Sequence, residues 1–149
     1  MLVSSYKALR GKINTLHLHP QHPQLAFTTA SDKSMVVWDL LNITRAANKK
    51  LDIAPDCGAI GPSFLYYGHT SGITRYHLTG ERAGRVACPS RVHSLALLSK
   101  AKTDWVLAGC EDGTVHLYRD TLEEESPSAS FQAHDARYLF SIPLFLIVD

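Results

Sequence analysis

Three histidines in the segment LHLHPQHP could act as metal ligands, because imidazole nitrogens bind zinc and copper. His17 and His19 are two positions apart, so they would share one face of a strand, and His22 follows in a turn. A zinc site needs three or four converging ligands, usually with thiolate or carboxylate help, and no cysteine lies nearby. We therefore interpret these histidines as a polar strand end and a solvated turn, and predict neither a metal site nor a cofactor.

Cys110 is the candidate nucleophile, and His116 is a possible base close to it in sequence. A nucleophilic cysteine needs a neighbouring base and an electropositive pocket. The residues between the two predict a hairpin, which leaves open the face on which His116 lies. We interpret Cys110 as a small apolar residue of the core, and we predict no catalytic residue in the chain.

Three aspartates, Asp32, Asp39 and Asp112, could in principle supply paired carboxylates. Asp32 and Asp112, however, stand in two separate turn segments, SDK and EDG. Aspartate favours such turns because its carboxylate accepts hydrogen bonds from the local backbone. The sequence therefore indicates structural turn residues, and it contains no glycine-rich loop of the kind that holds a phosphate.

The composition is typical of one soluble domain, with 149 residues, 45% hydrophobic, 19% charged and a formal net charge of +1. Three dispersed cysteines, Cys57, Cys88 and Cys110, argue against a secreted disulfide framework. The N-terminus lacks the apolar core of a signal peptide. The apolar tail 138–149 is shorter than the ~20 residues that a membrane helix needs. These features predict a cytoplasmic or nuclear protein.

Strand signals dominate the chain. Short runs of β-branched, aromatic and alternating residues cover 13–19, 25–30 and 34–40, and turn-forming segments separate them. No window of a dozen residues keeps the apolar period of a helix. The predicted fold class is all-β.

The opening hairpin repeats at an interval of about forty residues. The turn residues Asp32, Ser71 and Asp112 are separated by 39 and 41 positions, and each follows an apolar run. Six positions after them stand three ring side chains, Trp38, His77 and Tyr118. A repeat of this length indicates stacked copies of one supersecondary unit.

We predict a single domain over 1–149, divided into repeat units. The units are 13–47, a degenerate second copy at 48–87, 92–131, and the start of a fourth unit or tail at 134–149, with a preceding outer strand at 3–9. In the degenerate copy, Leu51 and Ile53 before Pro55 take the place of the first strand.

These residues resemble the WD-repeat β-propeller family. In that family a Gly-His pair begins the unit, a small residue stands two before a turn aspartate, and Trp-Asp ends the third strand. The resemblance implies antiparallel four-stranded blades and assigns signature positions to Asp32, Trp38, Asp39, Asp112, Gly113, Tyr118 and His134.

The family typically links a histidine, the turn aspartate, a small hydroxyl residue and the tryptophan by hydrogen bonds. Here Ala30 and Cys110 stand at the expected position of the hydroxyl residue, and no copy has all four groups. We therefore expect strand pairing and burial to supply the stability.

About three and a half blades cannot close a ring, because propellers typically have about four to eight. This count predicts either a segment of a longer propeller or copies that associate to complete the ring. An open set of blades exposes strand edges and apolar faces, which favours aggregation. A truncated product without independent function is an alternative.

The resemblance implies a non-catalytic scaffold that presents loops to a partner peptide or to a subunit of a larger complex. The basic residues that we expect on one loop face are Arg10, Lys12, Lys33, Lys49, Lys50, Arg91 and Arg137. They would suit an acidic or phosphorylated peptide. A phosphate- or nucleic-acid-binding propeller is an alternative, although these loops lack interleaved aromatic residues. A hydrolase would need a serine or cysteine beside a positioned histidine, or converging carboxylates. No membrane partner is expected.

Overall fold

The computed structural model describes residues 10–100, 103–123 and 126–133. The predicted outer strand at 3–9 and the predicted fourth unit at 134–149 lie outside these residues. His134 and Arg137 therefore also lie outside them.

The described residues form twelve β-strands and no helix, which confirms the all-β prediction. The strands make three antiparallel sheets, each of four strands that pair in chain order. The first sheet contains β1 (Ile13–Leu18), β2 (Leu25–Ala30), β3 (Ser34–Asp39) and β4 (Thr44–Lys50). The second contains β5 (Cys57–Ile60), β6 (Phe64–His69), β7 (Gly72–His77) and β8 (Arg82–Ala87). The third contains β9 (Val92–Lys100), β10 (Thr103–Cys110), β11 (Thr114–Arg119) and β12 (Ala129–Gln132).

The link between the first two sheets differs from the sequence-based expectation. Residues 48–50 belong to β4 of the first sheet, and the second sheet begins only at Cys57. Leu51 and Ile53 are therefore not part of a first strand. The β4 sequence TRAANKK is polar and largely exposed, so it carries no apolar alternation that would mark it as a strand. Leu51 is 3% exposed because it packs between the first two sheets.

One apolar core lies between the first and second sheets. Alternation along β2 and β3 turns Phe27 and Val37 towards the second sheet, where they meet Leu65 and Tyr67. Tyr76 completes the far side of this core. Burial of such side chains contributes roughly 1.5–3 kcal/mol each, so this contact is a main source of stability.

A second core lies between the second and third sheets. Tyr66 and Ile73 face away from the first core and pack against residues of β10 and β11, including Val106 and Tyr118. Val86 of β8 closes the outer part of this core. The second sheet is therefore covered by protein on both faces.

The first strands of successive sheets lie close together, since β1 contacts β5 and β5 contacts β9. This arrangement places the first strands nearest a common axis, as in the blades of a propeller. On β1, His17 turns towards the second sheet and contacts Tyr67. The alternate residues Leu16 and Leu18 turn the other way and are 65% and 55% exposed.

Gly72 begins β7 with a φ of +150°, and its surroundings leave no room for a side chain. A Cβ atom at this position would lie 2.1 Å from the carbonyl oxygen of Val86 on β8. The second sheet can therefore pair β7 with β8 at this point only if the residue is glycine.

We expect Gly72→Ala to lower the free energy of unfolding by at least about 2 kcal/mol, because the methyl group forces β7 and β8 apart. Urea unfolding followed by circular dichroism measures the loss. The matched control is Gly61→Ala, whose added Cβ would be 3.5 Å from its nearest neighbour, a carbon of Leu97. Equal destabilisation by the two variants would contradict this account of the hairpin.

Candidate functional site

The turn aspartates of the first and third sheets have the same surroundings. The Asp32 carboxylate accepts hydrogen bonds from the backbone N–H of Ser34 at 3.0 Å and from the Ser34 hydroxyl. The Asp112 carboxylate accepts from the N–H and hydroxyl of Thr114 at 3.0 and 2.5 Å. These hydrogen bonds lower the pKa of both aspartates. Both residues are turn-forming groups rather than members of a carboxylate pair.

The second hairpin is one residue shorter than the other two. Three residues connect β2 to β3 and β10 to β11, and the third of them, Lys33 or Gly113, has a φ of +69° or +82°. Only Thr70 and Ser71 connect β6 to β7. Three-residue hairpins commonly end in such a left-handed residue, which glycine adopts without strain.

The shorter turn changes which residue of the second repeat stands at the ring position. Trp38 pairs with Ala26, and Tyr118 pairs with Val106, each four residues before the end of the preceding strand. In the second sheet the residue at this register is Tyr76, which pairs with Leu65. Tyr76 is 3% exposed, whereas the predicted counterpart His77 lies on the surface. The interval of six residues from the turn therefore does not hold in the second sheet, where Tyr76 and not His77 is the equivalent ring.

The hydroxyl partner of the tryptophan was also misplaced. The indole N–H of Trp38 donates to the hydroxyl of Thr28 at 2.9 Å. Thr28 stands two residues before Ala30, the expected position. The side chains of β2 and β3 meet across the strand pair and not at the turn. Asp39 then ends β3 by accepting from the N–H groups of Leu41 and Asn42.

His69 connects the short turn of the second sheet to β7. Its Nδ1 accepts from the N–H of Ser71 at 3.3 Å, and its Nε2 lies 2.9 Å from the hydroxyl of Thr74. Burial, together with the charge of Arg85, lowers the pKa of His69 to about 4. The neutral imidazole thus takes the place of the turn aspartate in this sheet.

A hydrogen-bonded chain joins β11 to β12 in the third sheet. The Thr114 hydroxyl, which donates to Asp112, lies 3.0 Å from Nε2 of His116, and Nδ1 of His116 lies 2.7 Å from the hydroxyl of Ser130. Burial lowers the pKa of His116. A hydrolytic triad requires the carboxylate to orient the imidazole directly, but here Thr114 stands between them. Ser130 also lies exposed on the fourth strand, away from the axis. The chain is therefore a link between strands.

The three histidines of the first segment do not converge on one point. His17 lies against Tyr67, with ring centroids 6.3 Å apart, and burial lowers its pKa. His19 is 3% exposed, with its Nε2 3.0 Å from the carbonyl oxygen of Pro62. Its Nδ1 accepts from the N–H groups of Gln21 and His22. Among the described residues, no group of three His, Cys, Asp or Glu side chains is arranged to hold a metal ion.

Five of the seven predicted basic residues lie together at one end of the first sheet. We call this set the basic rim: Arg10, Lys12, Lys33, Lys49 and Lys50. The N–H of Lys12 donates to the Ser31 hydroxyl, and the Lys12 carbonyl accepts from the Ser31 N–H at 2.8 Å. Lys50 pairs with Ser34, the residue that follows the turn. Strand pairing thus brings three segments that are distant in sequence to the same end of the first sheet.

Arg91 does not join the basic rim. The Nε of Arg91 donates to Asp56 at 2.9 Å. This ion pair connects the link between the first and second sheets to the link between the second and third sheets. Arg137 lies outside the described residues. Arg91 is therefore assigned a structural role between two links.

The fold is that of several blades of a β-propeller. Comparison with known proteins identifies the kind of repeat that the blades resemble. Residues 2–39 match the model of the WD domain, G-beta repeat. This match covers the first three described strands and part of the chain before them. No curated protein matches this sequence significantly.

Solved structures share the arrangement of the three sheets. "Structure of U3-55K" and "Crystal structure of RRP9 WD40 repeats" each have a TM-score of 0.71 and 15% identity, over 88% of this chain and 42% of theirs. "Crystal structure of the computationally designed Ika4 protein" has a TM-score of 0.72 and 17% identity, over 89% of this chain and 80% of that one. The chain spans less than half the length of the first two.

The described residues have the fold of WD-repeat β-propeller blades, and the first repeat matches the model of the WD-repeat family. Proteins of this family are typically scaffolds for protein interaction and are generally non-catalytic. In the part of the chain that the structure describes, no helix is long and apolar enough to cross a membrane.

We expect the Trp38–Thr28 hydrogen bond to contribute about 1 kcal/mol to the stability of the first sheet, because the Thr28 hydroxyl that accepts it is buried. Trp38→Phe, Thr28→Val and the double variant form a cycle that isolates this coupling from the loss of ring volume. Chemical unfolding of all four proteins measures it. Full additivity of the two single changes would contradict a direct hydrogen bond.

We expect the stability of the protein to fall by about 2 kcal/mol between pH 7 and pH 5 because of His69. Its folded pKa of about 4 lies below the ordinary value of 6.5, so the unfolded chain binds the proton more readily. The stabilisation is complete above pH 6.5 and is lost as the pH falls towards 4. Unfolding curves at each pH should show a smaller loss in His69→Gln, with the exposed His77→Gln as control. An unchanged slope in His69→Gln would contradict the assignment.

Proposed function

We propose that the protein is a non-catalytic interaction scaffold that binds an acidic segment of a partner protein at the basic rim. The observation that carries this proposal is the convergence of five exposed cationic side chains on one end of the first sheet. The rim comes from three segments that the strands hold in place: 10–12, 31–34 and 49–51.

The rim has a strongly positive balance. Its three segments contain five cations and one carboxylate, Asp32. That carboxylate is already engaged by Ser34 and lies near the charge of Lys50. Exposed cations without a full set of carboxylate partners attract an anionic ligand and increase its association rate.

The rim is also held rigidly. Hydrogen bonds connect Ser31 to Lys12, Lys33 to Ala30, and Leu51 to Lys33, each between backbone groups 2.8–3.0 Å apart. The stem of Lys49 lies against the turn at Gly80 of the second sheet. A preorganised surface loses little conformational entropy on binding, which favours recognition of a short peptide.

An acidic peptide fits the rim better than a nucleic acid does. The three segments contain no aromatic residue, whereas proteins that bind single strands combine cations with aromatic rings that stack on the bases. A row of carboxylates or phosphoserines needs only charge and hydrogen-bond donors, both of which lysine and arginine supply.

We expect a Glu-rich, fluorescein-labelled decapeptide to bind the protein, and the double variant Lys33→Glu/Lys50→Glu to bind it at least about tenfold more weakly. The reversal replaces two attractive contacts by repulsion. Fluorescence anisotropy at about 50 and 200 mM salt measures both affinities, and binding should weaken at the higher salt.

The matched control is Arg45→Glu, a charge reversal on the same strand β4 but at its opposite end, where Arg45 pairs with Trp38. It should bind the peptide with nearly the wild-type affinity. A similar loss in both variants would mean that only overall charge matters and would overturn the basic rim as a site. Tighter binding of a labelled oligonucleotide than of the peptide would instead favour the nucleic-acid alternative.

A further inference from the structure

The three cysteines, which are dispersed in the sequence, come together at the boundary between the second and third sheets. Cys110 ends β10 and is 3% exposed in the core between these sheets. Cys57 and Cys88 are half-buried and pack against the same core. The spacing of the three cysteines in the sequence therefore does not predict this arrangement, because it arises from the packing of two sheets.

Two of these thiols, Cys88 and Cys110, belong to the same part of the core. Cys88 directly follows β8, in the link to the third sheet, and it packs against the cluster that contains Cys110, with which its thiol interacts electrostatically. The Sγ of Cys88 also lies 3.2 Å from the hydroxyl of Tyr118, a buried ring on the strand beside Cys110. Two sulfurs and a phenol oxygen thus form one small cluster.

We propose that Cys88 and Cys110 form a peroxide-responsive disulfide site, in which Cys88 is the attacking thiol and Cys110 resolves the intermediate. A thiolate that is partly accessible and lies beside a second cysteine is the arrangement that redox-sensing proteins use. Cys88 is partly exposed and Cys110 is buried, which assigns the two roles.

The ionisation of the thiols supports the same order. The hydrogen bonds from Cys110 and then from Tyr118 lower the pKa of Cys88, although burial opposes them. The contact with Cys88 and burial raise the pKa of Cys110. Burial raises the pKa of Cys57 to about 12, so this thiol stays protonated and unreactive.

The reaction has two balanced steps. The Cys88 thiolate attacks one oxygen of hydrogen peroxide, the O–O bond breaks, and Cys88 sulfenic acid and hydroxide form. The Cys110 sulfur then attacks the Cys88 sulfur, its proton leaves with the hydroxyl group as water, and the S–S bond forms. Two electrons pass from the thiol pair to the peroxide.

The test uses the full chain, reduced, freed of reductant and treated with hydrogen peroxide, then alkylated under denaturing conditions. We expect its alkylatable thiols to fall from three to one. Trypsin should then release the peptides 86–91 and 103–119 as one disulfide-linked species that dithiothreitol separates. Three alkylatable thiols, or a link that includes Cys57, would overturn the proposal.

Variants separate the roles. Cys57→Ser is the matched control and should form the same disulfide at the wild-type rate. Cys110→Ser should accumulate a sulfenic acid at Cys88 that dimedone traps, whereas Cys88→Ser should leave Cys110 reduced. Tyr118→Phe retains both thiols and should slow the alkylation of Cys88 by iodoacetamide most strongly near neutral pH. Equal dimedone labelling of wild type and Cys110→Ser would show that Cys110 does not resolve the intermediate.

Discussion

The packing of each sheet against its neighbour through an apolar face is the contact on which the rest of the structure depends. The second sheet shows this most clearly, because adjacent residues of one strand serve different cores. Tyr67 faces the first sheet and Tyr66 faces the third, as the alternation of a strand requires. An isolated four-stranded sheet would leave one or both faces in water. The chain therefore gains stability from the stack of sheets and not from any sheet alone.

A large ring is kept at one register of the third strand, whereas its burial and its polar partners change from sheet to sheet. The ring at the third-strand position is Trp38, Tyr76 or Tyr118. The Trp38 indole donates to a threonine within its own sheet, but the Tyr118 hydroxyl contacts Cys88 in the link from the second sheet. A large ring stands at the same register in each repeat, and its polar atom uses whichever partner the local sequence offers. The degenerate appearance of the repeats follows from this freedom.

The basic rim and the cluster of Cys88, Cys110 and Tyr118 have different physical origins. The basic rim arises from antiparallel pairing within one sheet, which places one end of each of the strands β1 to β4 at the same end of the sheet. The thiol cluster arises from packing between sheets, which places the link after β8 against the end of β10. Loops at a sheet end can change without loss of the core, so charge can gather there at little energetic cost.

The local patterns in the sequence determined the strand content, the period of about forty residues and the aspartate turns, because alternation and turn chemistry depend on near neighbours. The resemblance to a propeller, and not a local pattern, was the basis for expecting Lys12, Lys33 and Lys50 on one loop face. The sequence did not reveal β4, since an exposed outer strand needs no apolar pattern.

Only the tertiary structure decided that Tyr76 replaces His77 in the register, that Thr28 accepts from Trp38, and that Cys88 meets Cys110. Each of these depends on which atoms lie opposite one another across a strand pair or a sheet boundary. A one-residue difference in turn length shifts the register of the strand pair. The spacing of residues along the chain does not show which register forms.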